Sequence, residues 1–127
     1  QVAADAQRKA LNQALASARA ALQMRRADQA LDALEPIRSV TGEDAQYHGL
    51  LATALQQQSR HAEAVEHYLV ALRKNPEAVN WLVGVGISLE ATHQLLAAAE
   101  AYQKALDLGG SPALESFARD RLNRLGR

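Results

Sequence analysis

Three alanines, Ala30, Ala64 and Ala98, stand 34 residues apart, and any fold of this chain has to accommodate that period. Each sits in a similar local string: ADQALDAL at 27–34, HAEAVEHY at 61–68 and LLAAAEAY at 95–102. Four positions after each alanine comes a large residue (Leu34, Tyr68, Tyr102), and three further on stand Ile37, Ala71 and Ala105. Upstream, Ala18, Ala52 and Gly86 keep the same phase, and no insertion or deletion interrupts it. A period of this length implies stacked copies of one supersecondary unit, none of which can bury its apolar face alone.

The unit is helical. Hydrophobic residues make up 48% of the chain but aromatics only 4%, and Ala and Leu dominate the rest, which favours helix over strand. Apolar residues also recur at three- and four-residue steps, as in Leu11, Leu15 and Leu22 or Val65, Leu69 and Leu72.

With alternating helices, a constant small position and a large residue four places later, the chain resembles the tetratricopeptide repeat (TPR) family, a 34-residue helix-turn-helix. The resemblance implies an all-α, right-handed α-solenoid and one TPR domain over 1–127. Its units would be about 11–44, 45–78 and 79–112, each with a helix A and a helix B, followed by a capping helix over about 112–125. In the cap, Leu114, Phe117, Leu122 and Leu125 lie on one side, as a solenoid needs to cover its last apolar face. Residues 3–10 extend the first helix A. Asn75-Pro76 is expected to supply the family's terminal Pro, with Asn as N-cap and Pro at the first helical position. Gly109-Gly110 followed by Ser111-Pro112 is a second stop and restart. Pro36 lies inside the first helix B and should kink or shorten it, because proline lacks a donor and clashes with the preceding turn. Trp81 falls one place before the family's Trp position, which Leu82 occupies.

The string WLVGVGISLE, residues 81–90, could also be a strand or the opening of a dinucleotide loop. A phosphate loop needs a glycine at 89, where Leu89 stands, and a preceding strand. In the repeat register the string belongs to the third helix A. Gly86 takes the small position against helix B, and Gly84 is expected to face the groove, where it either admits a close ligand backbone or is simply tolerated.

In this family the helix A faces line a concave groove. Carried over by register, its partner-binding residues here are Asn12 and Arg19 from the first unit, Gln46, Leu50, Thr53 and Gln57 from the second, and Asn80, Val83, Gly84 and Ile87 from the third. The lining is mostly neutral. Members that clamp a terminal carboxylate use several basic groove positions; Arg19 alone is basic here, which argues against that ligand. The amides Asn12, Gln46 and Asn80 recur at one position of every unit and could satisfy an extended peptide backbone, with Leu50, Val83 and Ile87 as apolar anchors, or could be ordinary surface residues.

No catalytic residue is expected. The serines lack a nucleophile-elbow context, and no carboxylate pair sits in an apolar pocket. The four histidines, His48, His61, His67 and His93, form no pair at helical spacing, so no metal site is expected and ordinary polar or turn positions account for them. No cofactor is implied. Fourteen basic and fourteen acidic residues cancel, and the tail RDRLNRLGR reads as a solvated capping face, so nucleic acid is not an expected partner. No window approaches the roughly 18 apolar residues of a membrane span, so this fragment is not expected to insert. Absence of cysteine excludes disulfides and thiolate sites and fits cytoplasm or periplasm alike.

More narrowly, WLVGVGISLE with the downstream ALDLG is similar to the C-terminal repeat region of the mannose-sensitive haemagglutinin biogenesis proteins of bacterial type IV pilus systems. That resemblance implies a periplasmic domain of an inner-membrane-anchored protein, the alternative being cytoplasmic. A chain starting at Gln1 without a methionine fits a parent with a preceding anchoring segment. The expected function is a non-enzymatic interaction scaffold in envelope-machine assembly, binding a peptide or helix of a pilus or secretion subunit. The alternative is a structural homo-oligomerisation module with an empty groove.

Overall fold

A computed structural model describes residues 2–42 and 44–126. The described helices are α1 (Val2–Gln23), α2 (Ala27–Leu34), a 3-10 turn (Glu35–Ile37), α3 (Arg38–Thr41), α4 (Ala45–Gln57), α5 (His61–Lys74), α6 (Val79–Ala91), α7 (Leu95–Leu108) and α8 (Pro112–Arg124). No strand occurs among the described residues. The pairs α1/α2, α4/α5 and α6/α7 pack on each other, and each second helix packs on the first helix of the next pair: α2 on α4, α5 on α6, α7 on α8. This is the α-solenoid expected from the period, with α8 covering the last face. Residues 3–10 continue α1 without a break.

Each helix pair turns in the same way, through one residue in the left-handed region. Arg25, Ser59 and His93 have φ of 57°, 62° and 63°. The amide that follows each reaches back across the turn: Arg26 to the Ala21 carbonyl (2.8 Å), Arg60 to Leu55 (2.8 Å) and Gln94 to Leu89 (2.9 Å). This backward bond is the Schellman closure, which satisfies a carbonyl the helix end would otherwise orphan. The period is therefore written into backbone geometry as well as side chains.

The small residues in phase stand at the closest helix contacts. Ala18, Ala30, Ala52, Ala64 and Ala98 have no exposed surface. Gly86 is buried, and a Cβ there would come within 2.7 Å of the Tyr102 ring. The core falls into two clusters, one around Leu15, Leu22, Leu34 and Tyr47, the other around Leu55, Tyr68, Leu82, Val85 and Tyr102.

Pro36 acts as expected: α2 stops at Leu34 and the chain passes through a 3-10 turn before the four-residue α3. Gly109 (φ +92°) ends α7, and the Ser111 hydroxyl accepts from the Leu114 amide ahead of Pro112. The expectation at Asn75-Pro76 is corrected. Asn75 ends α5, its amide donating to the Ala71 carbonyl, and α6 begins at Val79 after a turn closed from the Ala78 amide to the Asn75 carbonyl (3.2 Å). An Asn-Pro step serves a turn as readily as a helix start, and the preceding helix needed its last donor.

Candidate partner-binding face

The first helices of the pairs meet one another, α1 with α4, α4 with α6 and α6 with α8. Two clefts open on this row. One, of about 300 Å³, is lined by Arg19, Gln46, Leu50, Asn75, Ala78, Asn80 and Trp81. The Arg19 guanidinium donates to Gln46 Oε1 at 3.0 Å, bridging the first two pairs. Half-buried Trp81 lies against α4 where only a residue without a side chain, Gly49, leaves room for the indole. The cleft thus offers one cation, three amides and an apolar floor of Leu50 and Trp81.

The second cleft, of about 400 Å³, is lined by Arg25, Thr53, Gln56, Gln57, Ser59, His61 and Ile87. Gln57 Nε2 donates to the Leu22 carbonyl at 3.2 Å, satisfying the end of α1, while its Oε1 is buried without a partner among the described residues. Thr53 Oγ1 donates to the Gly49 carbonyl (2.9 Å) and shares a hydrogen bond with the Tyr68 hydroxyl (2.9 Å). Ile87 also borders a smaller hollow beside Tyr102, Phe117 and Arg121.

Of the ten residues expected to bind a partner, the structure gathers Arg19, Gln46, Leu50 and Asn80 in one cleft and Thr53, Gln57 and Ile87 in the other. Asn12 is exposed on α1, outside both. Val83 and Gly84 are not surface residues at all. Val83 is 4% exposed, and the place of a Gly84 Cβ lies 2.6 Å from Tyr68 Cζ. Neither expected role for Gly84, admitting a ligand or being merely tolerated, is the right one: it packs a tyrosine. The reason is that α6 has a neighbour on each side, so nearly its whole circumference is buried.

A polar network behind the second cleft was not legible in the sequence. Ser88, with no exposed surface, accepts from Gln56 Nε2 (2.9 Å) and bonds His61 Nδ1 (3.0 Å), and Gln56 also donates to the Gly84 carbonyl (2.7 Å). His61, expected to be an indifferent turn residue, is therefore part of the contact between the second and third pairs. One pair further on, the Tyr102 hydroxyl donates to Glu90 Oε1 (3.0 Å), and Arg121 of α8 closes on the same carboxylate (Nε to Oε1, 3.0 Å). Burial pushes the Tyr102 phenol up to about 12 and raises those of Tyr68 and Tyr47. The cap is thus held by an ion pair as well as by Ala118 and Leu122.

Among the described residues no three His, Asp or Glu side chains gather as a metal site, and no helix is long and apolar enough to cross a membrane. Two histidines do meet, however. His48 Nδ1 and His67 Nδ1 are 2.9 Å apart across α4 and α5, a contact that no sequence spacing announces.

A profile of the tetratricopeptide repeat matches residues 15–79 and again 50–113. The chain belongs to the tetratricopeptide repeat family. Among solved structures, this TPR chain is similar to the Sgt2 TPR domain from Aspergillus fumigatus, with a TM-score of 0.78 and 19% sequence identity over 91% of this chain and 78% of that one. At that identity the likeness concerns the fold. No curated protein matches the chain. TPR domains generally mediate protein–protein interaction, and the TPR fold is a non-enzymatic interaction scaffold.

Proposed function

We propose that this TPR chain binds a peptide or helix of a protein partner along the α1, α4 and α6 face, as a scaffold in the assembly of a bacterial envelope machine such as a type IV pilus. The observation that carries the groove reading is the first cleft: three successive helices bring Arg19, Gln46, Leu50 and Asn80 to one opening beside Trp81. An apolar floor rimmed by amides and one guanidinium suits a partner with an apolar anchor and a backbone or side-chain carbonyl to be hydrogen-bonded. Neutral amides read backbone more than sequence, so affinity would rest on the anchor and on length of contact. The pilus setting, and with it a periplasmic place for the domain of an inner-membrane-anchored parent, rests on the likeness of WLVGVGISLE and ALDLG to pilus biogenesis proteins.

The test is crosslinking capture from an envelope extract of piliated bacteria, comparing the native chain with the triple variant Arg19→Ala, Asn80→Ala, Ile87→Glu. All three side chains are at least partly exposed, so the helical signal should survive. Capture of pilus-assembly subunits by the native chain, lost in the variant, supports the reading. Equal capture by both removes the groove from it, and capture of further copies of the chain alone replaces it with a homo-oligomerisation module.

A further inference from the structure

A cleft of about 600 Å³ separates the first helix pair from the second, away from the amide-rimmed face. Its floor is Leu34, Tyr47, Leu51 and Leu55, and one wall is the segment Arg38–Gly42. Pro36 creates that wall, since the broken helix B leaves a short α3 that ends at Gly42 with φ +53°.

Two histidines tie the wall to the second pair. His48 Nε2 lies 2.7 Å from the Gly42 carbonyl oxygen. A carbonyl only accepts, so that nitrogen carries the hydrogen and, in the neutral ring, His48 Nδ1 is the acceptor. The bond to His67 then has one possible direction: His67 Nδ1–H donates to His48 Nδ1 at 2.9 Å. The relay runs His67 to His48 to Gly42, and His67 Nε2, which meets no hydrogen-bond partner among the described residues, is its open lone pair. One extra proton fits there without breaking a bond. A second must go to His48 Nδ1, which sets N–H against N–H and two cations side by side.

We propose that the His48–His67 pair is a proton-operated latch: the bond between the rings aims His48 Nε2–H at the Gly42 carbonyl and so holds Arg38–Gly42 on the second helix pair, and repulsion between two charged rings turns His48 away from that carbonyl and releases the segment. The surroundings set where it works. Burial and then His48 hold His67 below its ordinary value near 6.5, while Glu66 and Glu63 on the same helix oppose that shift. Other charges around the cleft are largely engaged. Arg60 grips Glu63 through two hydrogen bonds (3.0 and 2.8 Å), Arg38 of the wall pairs with Glu35 (3.7 Å), and Asp44 accepts from the Tyr47 amide (2.8 Å). Tyr47 packs edge-on to His48 with its ring 5.0 Å away. Because His67 is depressed, the unfolded or released chain binds more protons below pH 6.5 than the latched one, so the latched form is full above that pH and loses ground as pH falls below it.

The experiment is amide hydrogen exchange at pH 7.5 and 5.0, corrected for intrinsic rates, on the native chain and His67→Gln. Glutamine can donate to His48 but takes no proton. In the native chain the protection of residues 38–42 should fall roughly tenfold at the lower pH while α6 and α7 hold theirs, and in His67→Gln it should change less than about twofold. An unchanged segment in the native chain, an equal loss in the variant, or a loss shared equally by α6 and α7 overturns the latch. Should His67→Gln fail to fold, imidazole 15N shifts of the native chain at pH 7.5 decide: hydrogen on His67 Nδ1 and His48 Nε2 upholds the relay, and any other tautomer pair overturns it.

Discussion

The Tyr68 ring occupies the space in which a side chain on Gly84 would have to stand, 2.6 Å from the nearest ring carbon. The ring has little freedom to yield. Tyr68 is 2% exposed and its hydroxyl is held by Thr53 at 2.9 Å. Alanine would gain about 1 kcal/mol of helix propensity over glycine. Overpacking a fixed contact costs about 1–3 kcal/mol, and the orphaned hydroxyl adds to it. Gly84→Ala is therefore expected to destabilise the chain by about 1–2 kcal/mol in urea unfolding followed by helical circular dichroism. A stabilised variant would mean that the glycine faces open space.

The three left-handed turn residues make a prediction of opposite sign. Ser59 and His93 are exposed and adopt a φ that costs an ordinary residue about 1 kcal/mol. Glycine removes that strain but loses more entropy on folding. Ser59→Gly is expected to raise stability by about 0.5 kcal/mol, with the same unfolding slope. A drop in stability would show that the serine side chain contributes something its exposure does not suggest.

Much of this architecture was readable because it is local or periodic. The constant spacing of Ala30, Ala64 and Ala98 fixed the unit, Pro36 its broken helix, and Gly109 to Pro112 the junction to the cap. Facing was less readable. WLVGVGIS is apolar on every side because α6 is flanked by α5, α7 and α8, so carrying groove positions over by register put Val83 and Gly84 on the wrong side of the surface. The amides gave a mixed result. Gln46 and Asn80 share a cleft, but Asn12, the third of the row, stands exposed on α1 outside it. Contacts such as His48 with His67 and His61 with Ser88 join residues 19 and 27 apart, and neither separation is a helical or repeat spacing.

The contact between the second and third pairs is polar where the one before it is not. Gln56, His61 and Ser88 each follow by 34 residues an apolar counterpart: Leu22, Ala27 and Ala54, all buried. Removing one member of the network leaves the others desolvated and short of partners, so Ser88→Ala is expected to cost about 1–2 kcal/mol. Copying the earlier contact outright, with Gln56→Leu, His61→Ala and Ser88→Ala together, should cost less than Ser88→Ala alone. Thermal unfolding of the two variants decides it. A triple variant clearly weaker than the single one would show that the network contributes net stability rather than satisfying its own burial.

Tyr102 gives the chain a base-sensitive joint at its cap. Its side chain is fully buried, its hydroxyl donates to Glu90, and burial pushes its phenol up to about 12 from an ordinary 10.0. Between these values the folded chain keeps a proton that the unfolded chain has lost. Folding therefore binds protons, and stability falls as pH rises through 10, the loss levelling off near 12. Tyr68 and Tyr47 are raised as well and act in the same direction. Tyrosinate absorbance should accordingly appear only above pH 10 and together with the loss of helical signal. Tyr102→Phe should keep its helices to higher pH than the native chain, while losing about 1 kcal/mol at neutral pH with the Glu90 hydrogen bond. Titration of all three tyrosines near 10 with the helices intact would show that Tyr102 is reached by solvent and that the contact of α8 with α6 opens without unfolding the rest.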